Sequence, residues 1–277
     1  MSLKVSTNIP SISAQKTLGS TQREMQKSFA QLSSGSRITK AADDAAGLSI
    51  SETLKSTVRG YGQAKRNAND AISMVQVSEG GLSEISNMLS RLRELGVQAA
   101  SDTVGDKERG FIDLEVQQLK SEMQRIAETT RFGSVKLLDG SGQEYDFQVD
   151  INNDDFADRI SFDAGQQNVQ ISELGVDGFD FSSKDGAREA LEGIEEAQVA
   201  VNGHRATLGA IQNRLISTTE SLANAVENFS AANSRIRDTD IAESSADLAR
   251  NQVLQQASIG VLAQANQSTA SALKLIG

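Results

Sequence analysis

From Leu54 onward, apolar residues return every three or four positions with few gaps: Leu54, Val58, Tyr61, Ala68, Ile72, Val75, Leu82, Ile85, Leu89, Leu92 and Ala99. This is a heptad-like seam held for about 45 residues, or ~70 Å of helix at 1.5 Å per residue. Ile112, Leu119, Met123 and Ile126 make a second stripe. A third runs through Ile194, Val201, Leu208, Ile211, Leu215, Leu222, Phe229 and Ile236. Three such stripes must be buried, and the simplest partners are one another. The expected fold is therefore mainly α, an elongated antiparallel helical bundle or coiled coil. Pro10 is the single proline, so nothing downstream breaks a long helix.

Between the second and third stripes the period changes from 3.5 to 2. Tyr145 to Ile151 alternates apolar with polar, Asn152-Asn153-Asp154-Asp155 reads as a turn, and Arg159 to Phe162 alternates again. With Ser134 to Leu138 ending at Asp139-Gly140, this predicts short strands and a small β-hairpin region over about 134–163. Gly175, Gly178 and Gly186 mark a short acidic loop over 164–186.

Both termini carry weaker stripes. Leu18, Met25, Phe29 and Leu32 fall at heptad spacings near the N-terminus. Ile241 and Leu248, then Leu254, Val261 and Leu273 on a shifted seam, do so near the C-terminus. One narrow stripe per helix is too little to hold an isolated pair. These nine residues are accordingly read as self-assembly positions that order when they meet copies of the same chain. The expected organisation is a terminal coiled-coil domain from residues 1–42 and 236–277, and a bundle domain from 43–235.

Composition narrows the function. Aromatic residues are 4% of the 277 and cysteine is absent, which excludes disulfides, thiolate metal sites and cysteine nucleophiles. A net charge of −10 and a pI near 4.8 argue against a nucleic-acid partner, and no apolar run is long enough to span a membrane. The start of the chain shows no cleavable secretory signal. Charge is also uneven. Residues 1–42 carry six basic side chains against one acidic, whereas 139–186 carry two against twelve, which reads as a solvated outer surface.

Candidate chemistry is sparse. Asp150, Asn152 and Asp154 match the first three positions of a calcium loop, but Asp155 stands where glycine is needed and Ser161 where the bidentate glutamate belongs. A polar hairpin turn is the better reading. The pairs Asp43-Asp44 and Glu195-Glu196 are adjacent on helical segments, so their carboxylates diverge by about 100° per residue. Asp43-Asp44 suits a helix cap instead. His204, the only histidine, lies in the third stripe without a nucleophile beside it. No catalytic residue, cofactor or metal is expected, and the chain is not read as an enzyme.

The run Leu32-Ser33-Ser34-Gly35-Ser36-Arg37-Ile38, followed by Ala41-Ala42-Asp43-Asp44-Ala45-Ala46-Gly47-Leu48, resembles the N-terminal signature of bacterial flagellin. So do the stretches from Arg66 to Ser73 and from Arg91 to Leu95, while Leu208 to Arg214 and Val261 to Gln267 resemble its C-terminal signature. The resemblance implies a short flagellin without large variable outer domains, a self-assembling subunit of the extracellular flagellar filament. It further implies terminal helices that line the inner filament core and are disordered in the monomer. Implied partners are other copies of the chain, an export chaperone on the C-terminal helix, filament cap and hook-junction proteins, and the vertebrate innate receptor TLR5. Export by a type III route without a cleaved signal is also implied. The family's receptor-facing residues correspond here to Arg91, Leu95 and Glu115. Competing readings are a hook–filament junction protein, which shares the terminal helices, and a secreted helical effector or binding module.

Overall fold

The structure, a computed structural model, describes residues 7–274, with side-chain surroundings as far as Ser268. Its elements run α1 (Ile9–Ser34), α2 (Ala45–Ala99), α3 (Asp106–Thr129), β1 (Arg131–Phe132), β2 (Val135–Lys136), β3 (Glu144–Gln148), β4 (Arg159–Asp163), α4 (Lys184–Arg237) and α5 (Ile241–Lys274). The fold is mainly helical, as the periodicity requires. The chain divides into two compact units, Thr57–Glu227 and the pair of terminal segments Met1–Ser56 with Asn228–Gly277.

In the Thr57–Glu227 unit the predicted stripes form the core. Leu82, Ile85, Leu89 and Leu92 of α2, Met123 of α3, and Ile194, Leu208 and Leu215 of α4 are fully buried. Towards the start of α2 the same seam is made of Ala64, Ala68 and Ala71, so the helix narrows there. The α2–α3 turn is closed by a buried guanidinium. Arg109 donates to the carbonyls of Ala99 at 2.9 Å and Ser101 at 2.9 Å, satisfying acceptors that a helix C-terminus leaves open.

β1 and β2 pair as one small antiparallel sheet, and β3 and β4 as another in the register Tyr145↔Phe162 and Phe147↔Ile160. Both rest on α2 where that helix lacks a side chain. A Cβ on Gly81 would come within 2.6 Å of Leu138 Cδ1, and one on Gly60 within 2.6 Å of Ile151 Cγ2. Asn67 of α2 donates to the Gln148 carbonyl at 3.0 Å, fixing the hairpin's position along the helix.

The acidic connection departs from expectation. It is not a solvated loop: Val169, Leu174, Val176 and Phe181 are core residues. Its backbone is pinned to one face of α3 by polar side chains spaced four, three and four apart. Asp113 accepts from the Phe181 amide at 3.0 Å, and Gln117 donates to the Phe179 carbonyl at 3.2 Å. The buried Lys120 ammonium donates to the Asp177 and Phe179 carbonyls, and Gln124 accepts from the Ile171 amide at 3.2 Å. The acidic side chains project outward from a segment whose backbone is anchored.

The terminal unit pairs α1 with α5 in antiparallel fashion. Asn8 at the start of α1 donates to the Ala265 carbonyl at 3.0 Å, while the Thr239 amide before α5 donates to the Gly35 carbonyl at 3.1 Å. Gly35, at φ 68°, supplies the left-handed residue that ends α1.

Two measurements follow from this packing. Gly80 faces open space, whereas Gly81 meets Leu138 Cδ1 and Thr130 Oγ1, both inside 3 Å of an added Cβ. Gly80→Ala should therefore stabilise the chain by about 1 kcal/mol through helix propensity. Gly81→Ala, one residue on, should destabilise it, and urea unfolding of the two variants checks the opposite signs. Burial within α4 pushes the His204 imidazole below its ordinary value of 6.5. As pH falls from about 6.5, the unfolded chain takes up a proton that the native imidazole resists, so His204 subtracts stability on the acid side. His204→Gln should flatten the loss of stability between about pH 6.5 and 5.5, read from urea midpoints.

Candidate functional site

The terminal unit carries the first candidate surface. The α1 residues that meet α5 are Ser11, Ala14, Leu18, Thr21, Met25, Ser28 and Leu32, an unbroken alternation of threes and fours. Those of α5 are Ser244, Leu248, Asn251, Gln255, Ser258, Leu262 and Ala265. Most of this seam is small or polar. Leu18, Met25, Leu32 and Leu248 lie on it, partly buried, as their spacing suggests. Phe29, Ile241, Leu254 and Val261 do not; they face outward, Phe29 with 65% and Ile241 with 67% of its surface exposed. Leu273 lies outside the residues whose side chains are described. Ile9, Ile12, Val253 and Ile259, which the larger stripes obscured in the sequence, are exposed as well. A groove of about 320 Å³ runs between the helices, lined by Pro10, Ala14, Thr17, Leu254, Ala257 and Val261.

The joint next to these helices is built by the signature residues. The Arg37 guanidinium donates to the Ile236 carbonyl at 2.8 Å, and its amide to the Arg237 carbonyl at 2.6 Å, so the end of α4 is capped from the other end of the chain. Asp43 accepts from the Thr39 and Lys40 amides at 3.1 and 2.9 Å. Those amides, with the Thr39 hydroxyl, hold its carboxyl below the usual range. Asp44 caps α2, accepting from the Gly47 amide at 2.8 Å. Gly47 is needed because a Cβ there would overlap the Asp44 carboxylate and press on buried Ile38. The two acids thus serve two separate turns and share no substrate-sized space.

The second surface lies on α2 and α3. Arg91 makes ion pairs with Glu94 at 2.9 Å and Glu115 at 2.8 Å, both on the exposed face. Leu95 does not join them. It is 2% exposed, and the expectation that it faces a receptor is corrected: four residues turn a helix through about 400°, and the extra 40° carries Leu95 into the core. Phe111 and Leu114, beside Glu115 on α3, are the exposed apolar residues here. They fall between the positions of the buried α3 stripe, a signal available in the sequence.

The remaining candidates are structural. Asp154 accepts from the Phe156 and Ala157 amides at 2.9 Å each, which lowers its pKa, and Asp150 accepts from the Ile151 amide. Both build the hairpin turn. Glu195 points to Arg93 at 3.5 Å. Among the described residues no cluster of three or more histidine, aspartate or glutamate side chains is placed to hold a metal, and no helix is long and apolar enough to cross a membrane.

Comparison with known proteins gives a consistent result. Residues 5–143 match the family model of the bacterial flagellin N-terminal helical region, and residues 191–276 that of the C-terminal helical region. The chain is 39% identical over 269 residues to a flagellin of Halalkalibacterium halodurans, covering 97% of this chain and 98% of that one. It is 39% identical over 285 residues to the flagellar filament core protein flaB2 of Brachyspira hyodysenteriae, covering 98% and 99%. The crystal structure of Bacillus cereus flagellin superposes with a TM-score of 0.51 at 28% identity, covering 57% of this chain and 88% of that one. With heptad stripes, a capped junction and outward-facing terminal helices all matched along its length, the chain belongs to the bacterial flagellins, the non-enzymatic subunits of the extracellular flagellar filament.

Proposed function

We propose that, within the filament, the paired terminal helices form the inner core and the helical bundle the surrounding wall. The observation that carries this reading is the inversion of α1 and α5, which turn serine, threonine, alanine and asparagine toward each other and phenylalanine, isoleucine, valine and leucine toward solvent. Apolar area left outside a helical pair gains about 25 cal/mol per Å² when another surface covers it. Further copies of the same pair supply that surface, through Phe29, Ile241, Leu254 and Val261 on the outside and Leu18, Met25, Leu32 and Leu248 at the seam edge; Leu273 continues the series.

The same exposed residues of α5 suit an export chaperone that covers them before assembly. The filament cap and hook-junction proteins would meet them at the two ends of the polymer. On α2 and α3, Arg91 and Glu115 present a charged pair with exposed Leu114 beside it, a combination suited to recognition by TLR5, with Leu95 supporting the helix from beneath.

Two experiments test these assignments. Phe29→Ser and Ile241→Ser, each on the surface, should leave thermal unfolding of the monomer nearly unchanged while abolishing growth on filament seeds seen by electron microscopy. Growth at the unaltered rate would refute the core assignment. Arg91→Ala removes an exposed ion pair that contributes at most about 1 kcal/mol, so the fold should persist. Receptor-dependent signalling by the monomer should fall about tenfold or more, and unchanged signalling would remove Arg91 from the recognition surface.

A further inference from the structure

Phe156 is the most exposed large apolar residue of the chain among those described, with 92% of its surface in solvent. It does not sit on a slack loop. The Asp154 carboxylate accepts from its amide, Asp158 accepts from the Asp154 amide at 2.8 Å, and Gln148 donates to the Asp150 and Asn152 carbonyls at 3.0 and 2.8 Å. Arg159 ties down Asn153 at 2.7 Å and pairs with Asp155. A hydrogen-bonded tip thus holds one aromatic ring outward, with acidic Asp150, Asp154 and Asp155 around it.

Elsewhere on the same unit, α2 and α4 leave an open groove of about 520 Å³ lined by Ser90, Arg93, Glu94, Val97 and Gln198. Its apolar wall is Val97, 60% exposed, and its cationic edge is Arg93. The charge of Glu94 is engaged by Arg91. On α4, Gln198 lies about twenty residues, roughly 30 Å, from Arg214, Ser217 and Leu222, which flank Phe156. The hairpin tip is hydrogen-bonded in place and cannot reach the groove of its own chain.

We propose that the Phe156 tip docks into the Arg93–Val97 groove of a second copy of this chain. The proposal rests on the filament assignment and adds a specific contact of the bundle unit to it. An open helical polymer requires heterologous contacts, in which two different patches of one subunit meet their complements on two neighbours. A projecting ring and a groove on separate faces meet that requirement. An aromatic side chain entering a pocket is the usual form of an interface anchor. The acidic residues around the tip approach the guanidinium of Arg93, so charge complements shape.

The chain has no cysteine, so introduced thiols report only on each other. Equal amounts of two single variants, Phe156→Cys and Val97→Cys, are grown together on wild-type seeds and mildly oxidised. Cross-linked heterodimers should form in the filaments and not in dilute monomer. Filaments that contain both variants and show no cross-link overturn the proposal. Phe156→Ser gives a second reading. Its melting should match wild type, because the ring contributes nothing to the subunit's own core, and the critical concentration for elongation should rise on the order of thirtyfold. An unchanged critical concentration overturns the contact while leaving the filament assignment intact. Wild-type chain unable to elongate seeds would overturn both.

Discussion

A helix can take another segment against its flank only where its own side chains leave room, and the bundle unit depends on that constraint. With few aromatic residues to fill wide gaps, its elements must come close. Gly60 and Gly81 of α2 admit Ile151 and Leu138, and Gly193 of α4 admits Phe179, whose Cζ lies 2.6 Å from where a Cβ would be. At Gly96 the Leu191 side chain of α4 closes in similarly. Each notch costs helix propensity of about 1 kcal/mol relative to alanine. In return, each fixes where along a long and otherwise uniform helix a hairpin or loop comes to rest.

Polar side chains complete that positioning. Asp113, Gln117, Lys120 and Gln124 form a line on α3 that grips the backbone of the connection to α4, as Asn67 grips β3. Hydrogen bonds of this kind add little net stability when water is the alternative, but a buried carbonyl left without a donor is costly. They select one register of packing over its neighbours. The acidic stretch combines an anchored backbone with a charged exterior for this reason.

The long stripes were legible because leucine, isoleucine and valine at spacings of three and four mark a buried face without help from context. The hairpin strands were legible through their period of two. The α1–α5 seam was not, since Ser11, Ala14, Thr21 and Ser28 carry no hydrophobic signal, and the visible apolar residues, Phe29 and Ile241 among them, mark the opposite face. The core residues of the connection, Val169, Leu174, Val176 and Phe181, follow no helical or strand period because their burial is dictated by the path of a loop over α3. Lys120 reads as a surface charge until the two carbonyls above it are seen. The misplacement of Leu95 has a simpler cause. A spacing of four is close to one turn but not equal to it, and at the border of a stripe the difference decides which side of the surface a residue occupies.

The capping of α4 by Arg37 joins residues 199 positions apart in sequence. The guanidinium is made early in synthesis and the Ile236 and Arg237 carbonyls late, so the clasp can close only on a chain translated almost to its end. A polypeptide released before that point would carry an Arg37 with no carbonyls to cap and an α1 with no α5 to pair against. The junction therefore acts as a test of completeness: both ends of the gene product must be present before the terminal unit has a structure at all.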